Sequence, residues 1–404
     1  MNTTVNTDND VITDGLNRMI GRAGVTKNSV GDRFPHWANS SSGEWTTTAD
    51  GDWTGGAWPG QLWLAATVTG DEQWRTDARR WLALLGPRLE LETAFKGFTF
   101  YHAAVVGSLL HADADARDAG IRCAQHLASM FDARLGLIPL GPAAEEHNAV
   151  GAAESSIDSL QASPMLLWAA RELDDPELER IAIAHTTRVL EIHVRDDGSV
   201  IQSSTLDPAD GGVVRYHTHK GFNDESTWAR AQAWAVLYAS QCSAILPDQT
   251  GWLTTARRVS DWWIAHVPSD AISFWDFDDP AIPSTERDTA ATAIVASGLL
   301  KLAATLDDSD AQIYRDHAVR AVTTLVREHL TDDSTKDRRP AGMLINGCFT
   351  KRASRPQDAA TDVELIFGDY FLMESLAILA GHLTPTDLDP APSTESETRE
   401  KDAS

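Results

Sequence analysis

Apolar positions fall into a recurring two-part pattern along the chain. Leu62 to Ala78 (LWLAATVTGDEQWRTDA), Met165 to Ala182 (MLLWAARELDDPELERIA) and Leu299 to Ala318 (LLKLAATLDDSDAQIYRDHA) share it. Each is an apolar stretch, an acidic turn, then a second stretch opening on an aromatic residue or leucine. Val105 to Ala124 and Ala235 to Ala256 repeat the pattern more loosely, and Glu374 to Leu383 reads as a truncated last copy. The first half is apolar nearly all round, as a helix buried on both sides requires, while the second is amphipathic, as an outer layer requires. The copies are longer and less regular than ordinary solenoid repeats. The pattern predicts an all-α fold, an (α/α)6 barrel of six helical hairpins, with an open α-solenoid as the alternative. Strand-like alternation is confined to Ser199–Ser203 and Val213–Tyr216, which predict one small hairpin.

Inner helices of such a ring begin at one mouth, so the loops leading into them are where chemistry is sought. The first junction is Asp50 to Leu62 (DGDWTGGAWPGQL). Its glycines allow close packing, and Trp53 either stacks on a sugar or packs in the wall with Trp58. The second is Glu154 to Trp168 (ESSIDSLQASPMLLW), where Asp158 sits between Ile157 and Leu160. A carboxyl in apolar surroundings holds its proton to higher pH and can act as an acid. The alternative is a helix N-cap, a common place for Asp. The third is Arg215 to Trp234 (RYHTHKGFNDESTWARAQAW). Arg230 and Trp234, four apart, share a helix face and suit a carboxylate on a ring. His217 and His219 would share a strand face, but no carboxylate at ligand spacing supports a metal, so the sequence predicts neither metal nor cofactor. In Phe274 to Ala293, Asp288 reads as an N-cap and Arg287 as a partner for Asp276. In the last stretch, Gly347 to Leu376, Phe349, Lys351 and Arg352 are placed at the pocket rim, and Gly368 to Tyr370 open the sixth inner helix.

Composition narrows the class. At 404 residues, a single barrel is within reach. Residues 1–10 are predicted to be a disordered tail, 11–384 the barrel catalytic domain, and 385–404 a disordered acidic tail, because Pro, Ser, Thr and charge cannot offset ordering entropy by burial. The balance of 34 basic against 59 acidic residues, a net charge of −25, argues against a nucleic-acid partner. An anionic ligand then requires cations gathered locally. Fourteen tryptophans suit sugar faces as well as cores. Three scattered cysteines suggest neither a disulfide framework nor a zinc cluster. The polar start lacks a secretory pattern, and no run approaches the roughly 20 apolar residues of a membrane span. The expectation is a cytoplasmic protein with no membrane partner, a monomer or homodimer, acting on small imported substrates.

Taken together, GDRFPHW, DGDWTGGAWPGQLWLA, TGDEQWR, SSIDSLQASPMLLWA, HTHKGFNDESTWARAQAWA, FWDFDDP, ERDTAATAIVASGLL and FGDYFLMESL resemble glycoside hydrolase family 88, the unsaturated glucuronyl hydrolases, in order and spacing from about Gly31 to Leu376. The resemblance implies an (α/α)6 barrel that hydrates the C4–C5 double bond of a terminal unsaturated uronic acid on a small anionic oligosaccharide or glycoside. It maps the proton donor onto Asp158 and the stacking residue onto Trp53, and makes His219, Arg230 and Trp234 sugar-site residues. One carboxyl serving as acid and then base does not need the usual carboxylate pair at fixed separation.

Three positions depart from the family pattern. Its second essential Asp, in His-Asp-(Ile/Leu)-Gly-Phe, falls on Phe95 of Ala94-Phe95-Lys96-Gly97-Phe98. A Gln falls on Lys220, and a Trp near the site falls at about Leu140. A pocket that loses a carboxylate and gains an ammonium becomes more positive and more apolar. Phe95, Lys96, Lys220 and Phe349 are therefore counted as substrate-lining, with Lys96 or Lys220 standing in for the lost group. The alternatives are a hydrolase of altered specificity, or a non-catalytic sugar-binding relative.

Overall fold

The computed structural model describes residues 7–144, 153–334, 337–352 and 359–390. Its inner ring comprises α2 (Ala57–Thr69), α4 (Lys96–Phe100) continued by a π-helical turn into α5 (Val106–His111), α7 (Ala162–Leu173), α9 (Ala229–Ile245), α11 (Thr289–Ala303) and α13 (Ile366–Leu379). The outer ring comprises α3 (Glu72–Leu84), α6 (Ala114–Ser129), α8 (Pro176–His193), α10 (Thr250–His266), α12 (Asp308–Thr324) and α1 (Asp8–Ser29). The division follows the side chains. Every residue of α11 from Thr289 to Leu302 is buried, whereas α12 buries Tyr314, His317, Ala318 and Ala321 on one stripe.

The truncated sixth hairpin is completed by the chain's own beginning, because α1 packs on α13 and α12. This corrects the first tail. Helix α1 starts at Asp8, capped by Thr7, and buries Val11, Ile12 and Leu16. The second tail is corrected as well. Residues Pro385–Leu388 form a 3-10 turn that delivers Asp389 into the barrel, where it accepts from Gln241 Nε2 at 2.6 Å and Lys301 Nζ at 3.3 Å. The apolar burial of Leu388 and these buried polar partners hold a segment whose composition argued against order. Residues 1–6 and 391–404 lie outside the described residues.

Two small sheets sit among the loops. One is β2–β1–β7–β6, built from β1 (Phe34–Asn39), β2 (Trp45–Thr48), β6 (Gly347–Thr350) and β7 (Ala360–Leu365). The other is β3–β4–β5, from β3 (Glu154–Ser156), β4 (Ser203–Leu206) and β5 (Val213–His217). The predicted hairpin is present as β4–β5, with its first strand starting where the expected one ended. The four-stranded sheet was not anticipated, since Trp37 pairs with Leu365 from the far end of the chain. Gly56 allows the loop before α2 to lie against α4: a Cβ there would stand 1.8 Å from the Thr99 carbonyl oxygen. No helix among the described residues is long and apolar enough to cross a membrane.

Candidate active site

Asp158 lies in a 3-10 turn, Ile157–Gln161, that leads from β3 into α7. It is not the cap. Ser156 is, its Oγ accepting from the Asp158 amide at 3.2 Å while donating to the Asp158 carboxylate at 2.6 Å. Burial pushes the Asp158 carboxyl above its ordinary value, opposed by the Ser156 hydrogen bond and then by the charges of Lys220 and Arg230. The turn is held from two sides. Gln161 Nε2 donates to the Ala94 carbonyl at 2.5 Å, and the Ile157 amide donates to the Gln202 carbonyl at 2.9 Å. Gly97 makes the first contact possible, because a Cβ there would meet Gln161 Oε1 at 1.7 Å.

An aromatic wall runs across the inner helices. Trp53 packs on Phe98 (ring centroids 5.2 Å apart), Phe367 (5.2 Å) and, nearly parallel, Phe349 (6.2 Å). Phe98 continues to Trp234 at 4.7 Å and Phe95 at 5.9 Å, and Trp234 stacks on Tyr238. Trp53, Phe95, Trp234 and Phe349 are thus brought into one packed cluster. Phe98 and Phe367 join them, although only their place beside a glycine in KGF and IFGDY could have marked them. Trp58 is a wall residue, edge-on to Trp81.

Lys96 does not belong to this wall, contrary to the sequence reading. Its ammonium turns outward to the Leu89 carbonyl and to His126 Nδ1, the latter at 2.6 Å, and burial lowers it to about 8. Phe95 takes the inner side, and the next residue along the α4 start points toward α6. Lys220, in contrast, is buried with its Nζ 4.4 Å from the centre of the Phe349 ring. Its turn is organised by Gln202, which the sequence did not mark. Gln202 Oε1 accepts from Thr218 Oγ1 (2.5 Å), the His219 amide (3.0 Å) and the Lys220 amide (3.1 Å).

Arg230 is already engaged. Its Nη1 meets Asp288 Oδ2 at 2.6 Å and the Cys348 carbonyl, and its Nη2 meets the Phe349 carbonyl. Asp288 also caps α11, as read from the sequence. Arg287 pairs with Asp270 at 2.7 Å rather than with Asp276, which accepts from the Phe222 amide and Ser226 Oγ. Lys351 pairs with Glu286, and Arg352 donates to the Thr218 and Gly221 carbonyls. Leu140 is buried, its amide bonded to the Glu154 carbonyl.

The carboxylate that sequence spacing failed to supply to the two histidines comes from β3. Glu154 Oε2 lies 3.0 Å from His217 Nε2, and the ring centres of His217 and His219 are 4.9 Å apart.

No family model matches the chain. It is similar to curated proteins named unsaturated glucuronyl hydrolase. One, from Bacillus sp. (strain GL1), is 34% identical over 371 residues, covering 89% of this chain and 95% of the relative. Another, from Formosa agariphila, is 30% identical over 333 residues, 80% of this chain and 78% of the relative. The solved structure of the Bacillus sp. GL1 enzyme, described as responsible for the degradation of glycosaminoglycan, superposes with a TM-score of 0.84 at 32% identity over 92% of this chain and 98% of that one. With this likeness over most of its length, the chain belongs to the unsaturated glucuronyl hydrolases, glycoside hydrolase family 88.

Proposed function

We propose that this glycoside hydrolase removes a 4,5-unsaturated uronic acid from the non-reducing end of an oligosaccharide left by a polysaccharide lyase. The carrying observation is the buried Asp158 carboxyl, its pKa raised by burial, held by a serine and bordered by cations instead of being spent as a helix cap. Asp158 gives its proton to C4, and the ring oxygen stabilises the positive charge that develops at C5. Water then adds at C5 and returns a proton to the Asp158 carboxylate. The resulting hemiketal opens by breaking the C5–ring oxygen bond. Collapse at C1 releases the remaining sugar as an alcohol, and the former uronic acid leaves as a keto acid. One water is consumed, and the acid is regenerated.

The surroundings support this reading. Trp53 and Trp234 offer faces for a ring, and the Lys220 ammonium supplies positive charge for the uronate carboxylate in a chain that is otherwise strongly acidic. Arg230, braced by Asp288, contributes a fixed charge whose orientation the substrate does not set. His219 and Phe349 complete the lining, and Phe95 presents an apolar surface to the sugar. The name of the Bacillus relative points to the same class of substrate.

The test is loss of the ultraviolet band of the ene-carboxylate when purified protein meets a panel of lyase-made disaccharides. Turnover by the natural chain and none by Asp158→Asn is expected, general acid catalysis contributing about 100- to 10,000-fold. Release of reducing sugar from saturated glycosides with no loss of the band would point instead to altered specificity at Phe95. Calorimetric binding without any product would point to a non-catalytic relative.

A further inference from the structure

Glu154, His217 and His219 bring together three side chains that serve as metal ligands, with one donor atom from each within 4.8 Å of the others. They reach one place by way of the small sheet. Glu154 stands on β3 opposite Thr205 of β4, and His217 ends β5 opposite Ser203 of β4. Thr205 Oγ1 donates to Glu154 Oε1 at 2.6 Å, which fixes the carboxylate and directs its Oε2 at His217 Nε2, 3.0 Å away. This is how an outer hydrogen bond orients a ligating carboxylate. Glu154 and His217 are fully or nearly fully buried. His219 is partly buried, and its Nε2 is shielded from solvent with no hydrogen-bond partner among the described residues. A buried ring nitrogen left unbonded is costly, because its lost contact with water is not replaced.

We propose that Glu154, His217 and His219 form a binding site for one Zn2+ ion. Two imidazoles and one carboxylate are a known zinc donor set, with bonds of about 2.0–2.2 Å and a fourth position open to water or another oxygen. Closing the cluster to those bond lengths requires chiefly a rotation of the His219 side chain, on a backbone that Gln202 holds at the His219 amide just beyond β5. The ligand set also selects the ion. Ca2+ and Mg2+ depend on several oxygen ligands, and here there is one carboxylate. Lys220 and Arg352 also place positive charge near His219, which an ion held mainly by electrostatics would not overcome but one bonded strongly to imidazole does. The site does not depend on Asp158 being the acid, and the metal has no part in the steps proposed above.

The full chain is stripped with chelator, titrated with ZnCl2 by calorimetry, dialysed, and assayed for retained metal by mass spectrometry. Co2+ loading adds a visible spectrum that reports coordination geometry. One ion per chain is expected, with an absorption band typical of four-coordinate Co2+ and a raised melting temperature, since a ligand that binds only the folded state stabilises it. Glu154→Gln and His217→Asn should each weaken binding at least about tenfold. His266→Asn, on exposed α10, should leave binding unchanged, and near-ultraviolet circular dichroism confirms that each variant is folded. No stoichiometric uptake at micromolar Zn2+ would overturn the proposal. So would equal uptake by the Glu154→Gln/His217→Asn double variant, which would leave Glu154 and His217 as a hydrogen-bonded pair alone.

Discussion

Replacing Asp288 tests whether a buried ion pair with Arg230 holds the candidate site together. Arg230 and Asp288 are both essentially excluded from solvent and meet at 2.6 Å. Burial still raises the Asp288 carboxyl above its ordinary value, with Arg230 pulling it down less strongly. Desolvation therefore outweighs attraction at this position, as it often does for buried pairs. Removing one partner is a different matter, because it strands the other. Asp288→Ala leaves the guanidinium buried without a counter-ion among the described residues, bonded to the Cys348 and Phe349 carbonyls, at a cost of about 3–5 kcal/mol. It also removes the α11 cap, worth about 1 kcal/mol. The expected loss is roughly 4–6 kcal/mol, a large share of the ~5–15 kcal/mol that holds a typical domain. Asp288→Asn keeps one oxygen, enough for either the Ala291 amide or Arg230 but not both, and should still lose less than Asp288→Ala. Equilibrium urea unfolding of Asp288→Leu, Arg230→Met and the double variant completes the cycle. The double variant should be less damaged than the sum of the singles, with a coupling of about 2–3 kcal/mol. A coupling below about 0.5 kcal/mol would refute the reasoning and leave α11 capping as the whole effect.

Other consequences follow from the same contacts. If Asp158 must be protonated to act, turnover falls as pH rises through its raised pKa, and a rate that instead climbs across that limb contradicts the assignment. The stability sign is set by the same direction. A carboxyl with a raised folded pKa binds more protons folded than unfolded, so it weakens the fold as pH rises above the unfolded value of about 3.9. Asp158→Asn should therefore melt higher than the natural chain at neutral pH and differ least in acid, as differential scanning calorimetry would show. Gly97→Ala forces Gln161 away from α4 and should destabilise by about 1–3 kcal/mol, with turnover falling because the Asp158 turn shifts; unchanged turnover would separate the two. Gln202→Leu removes the acceptor shared by Thr218, His219 and Lys220, and should raise KM more than it lowers kcat, since the 218–220 turn carries the lining while Asp158 keeps its serine. An effect confined to kcat would place Gln202 elsewhere in the mechanism.

The helical repeat was legible because burial on both sides leaves a continuous apolar stretch, and five of the six hairpins could be read in that way. The sixth was not, because its outer helix is supplied by Asp8–Ser29, a segment that opens on DNDV and shows no hairpin partner nearby. The four-stranded sheet was invisible for a similar reason. Its strands have four to six residues and pair across almost the whole chain, where local alternation carries little signal. At the candidate site, the flanks of Asp158, Trp53 and Trp234 singled them out but left a cap or wall role open, and the resemblance supplied their proposed roles. Spacing alone could not decide which of Phe95 and Lys96 faces inward, since adjacent helix positions differ by about 100°. Nor could it find Glu154 for His217 and His219, because ligands from separate strands of one sheet need not be close in sequence.

The resemblance puts Phe95 and Lys220 where the family has Asp and Gln, and such an exchange would tie the wall to the proposed acid. A second carboxylate at position 95 would repel the Asp158 anion and help to keep it protonated. With Phe95 there, the charges bearing most on Asp158 are cations, which favour the anion, so proton retention falls to burial alone. Phe95 adds an apolar ring to the wall, packed on Phe98, which in turn meets Trp234. Lys220 opposes proton retention, and under the proposed function would also neutralise the uronate carboxylate in a chain of net charge −25. The two changes therefore pull in opposite directions on one proton. An apolar wall without the lysine would leave a strong proton holder and a poorly neutralised uronate; the lysine without the wall would surrender the proton too early. On this argument the residues at 95 and 220 act as a pair, and restoring only one to the family pattern should harm the site more than restoring both.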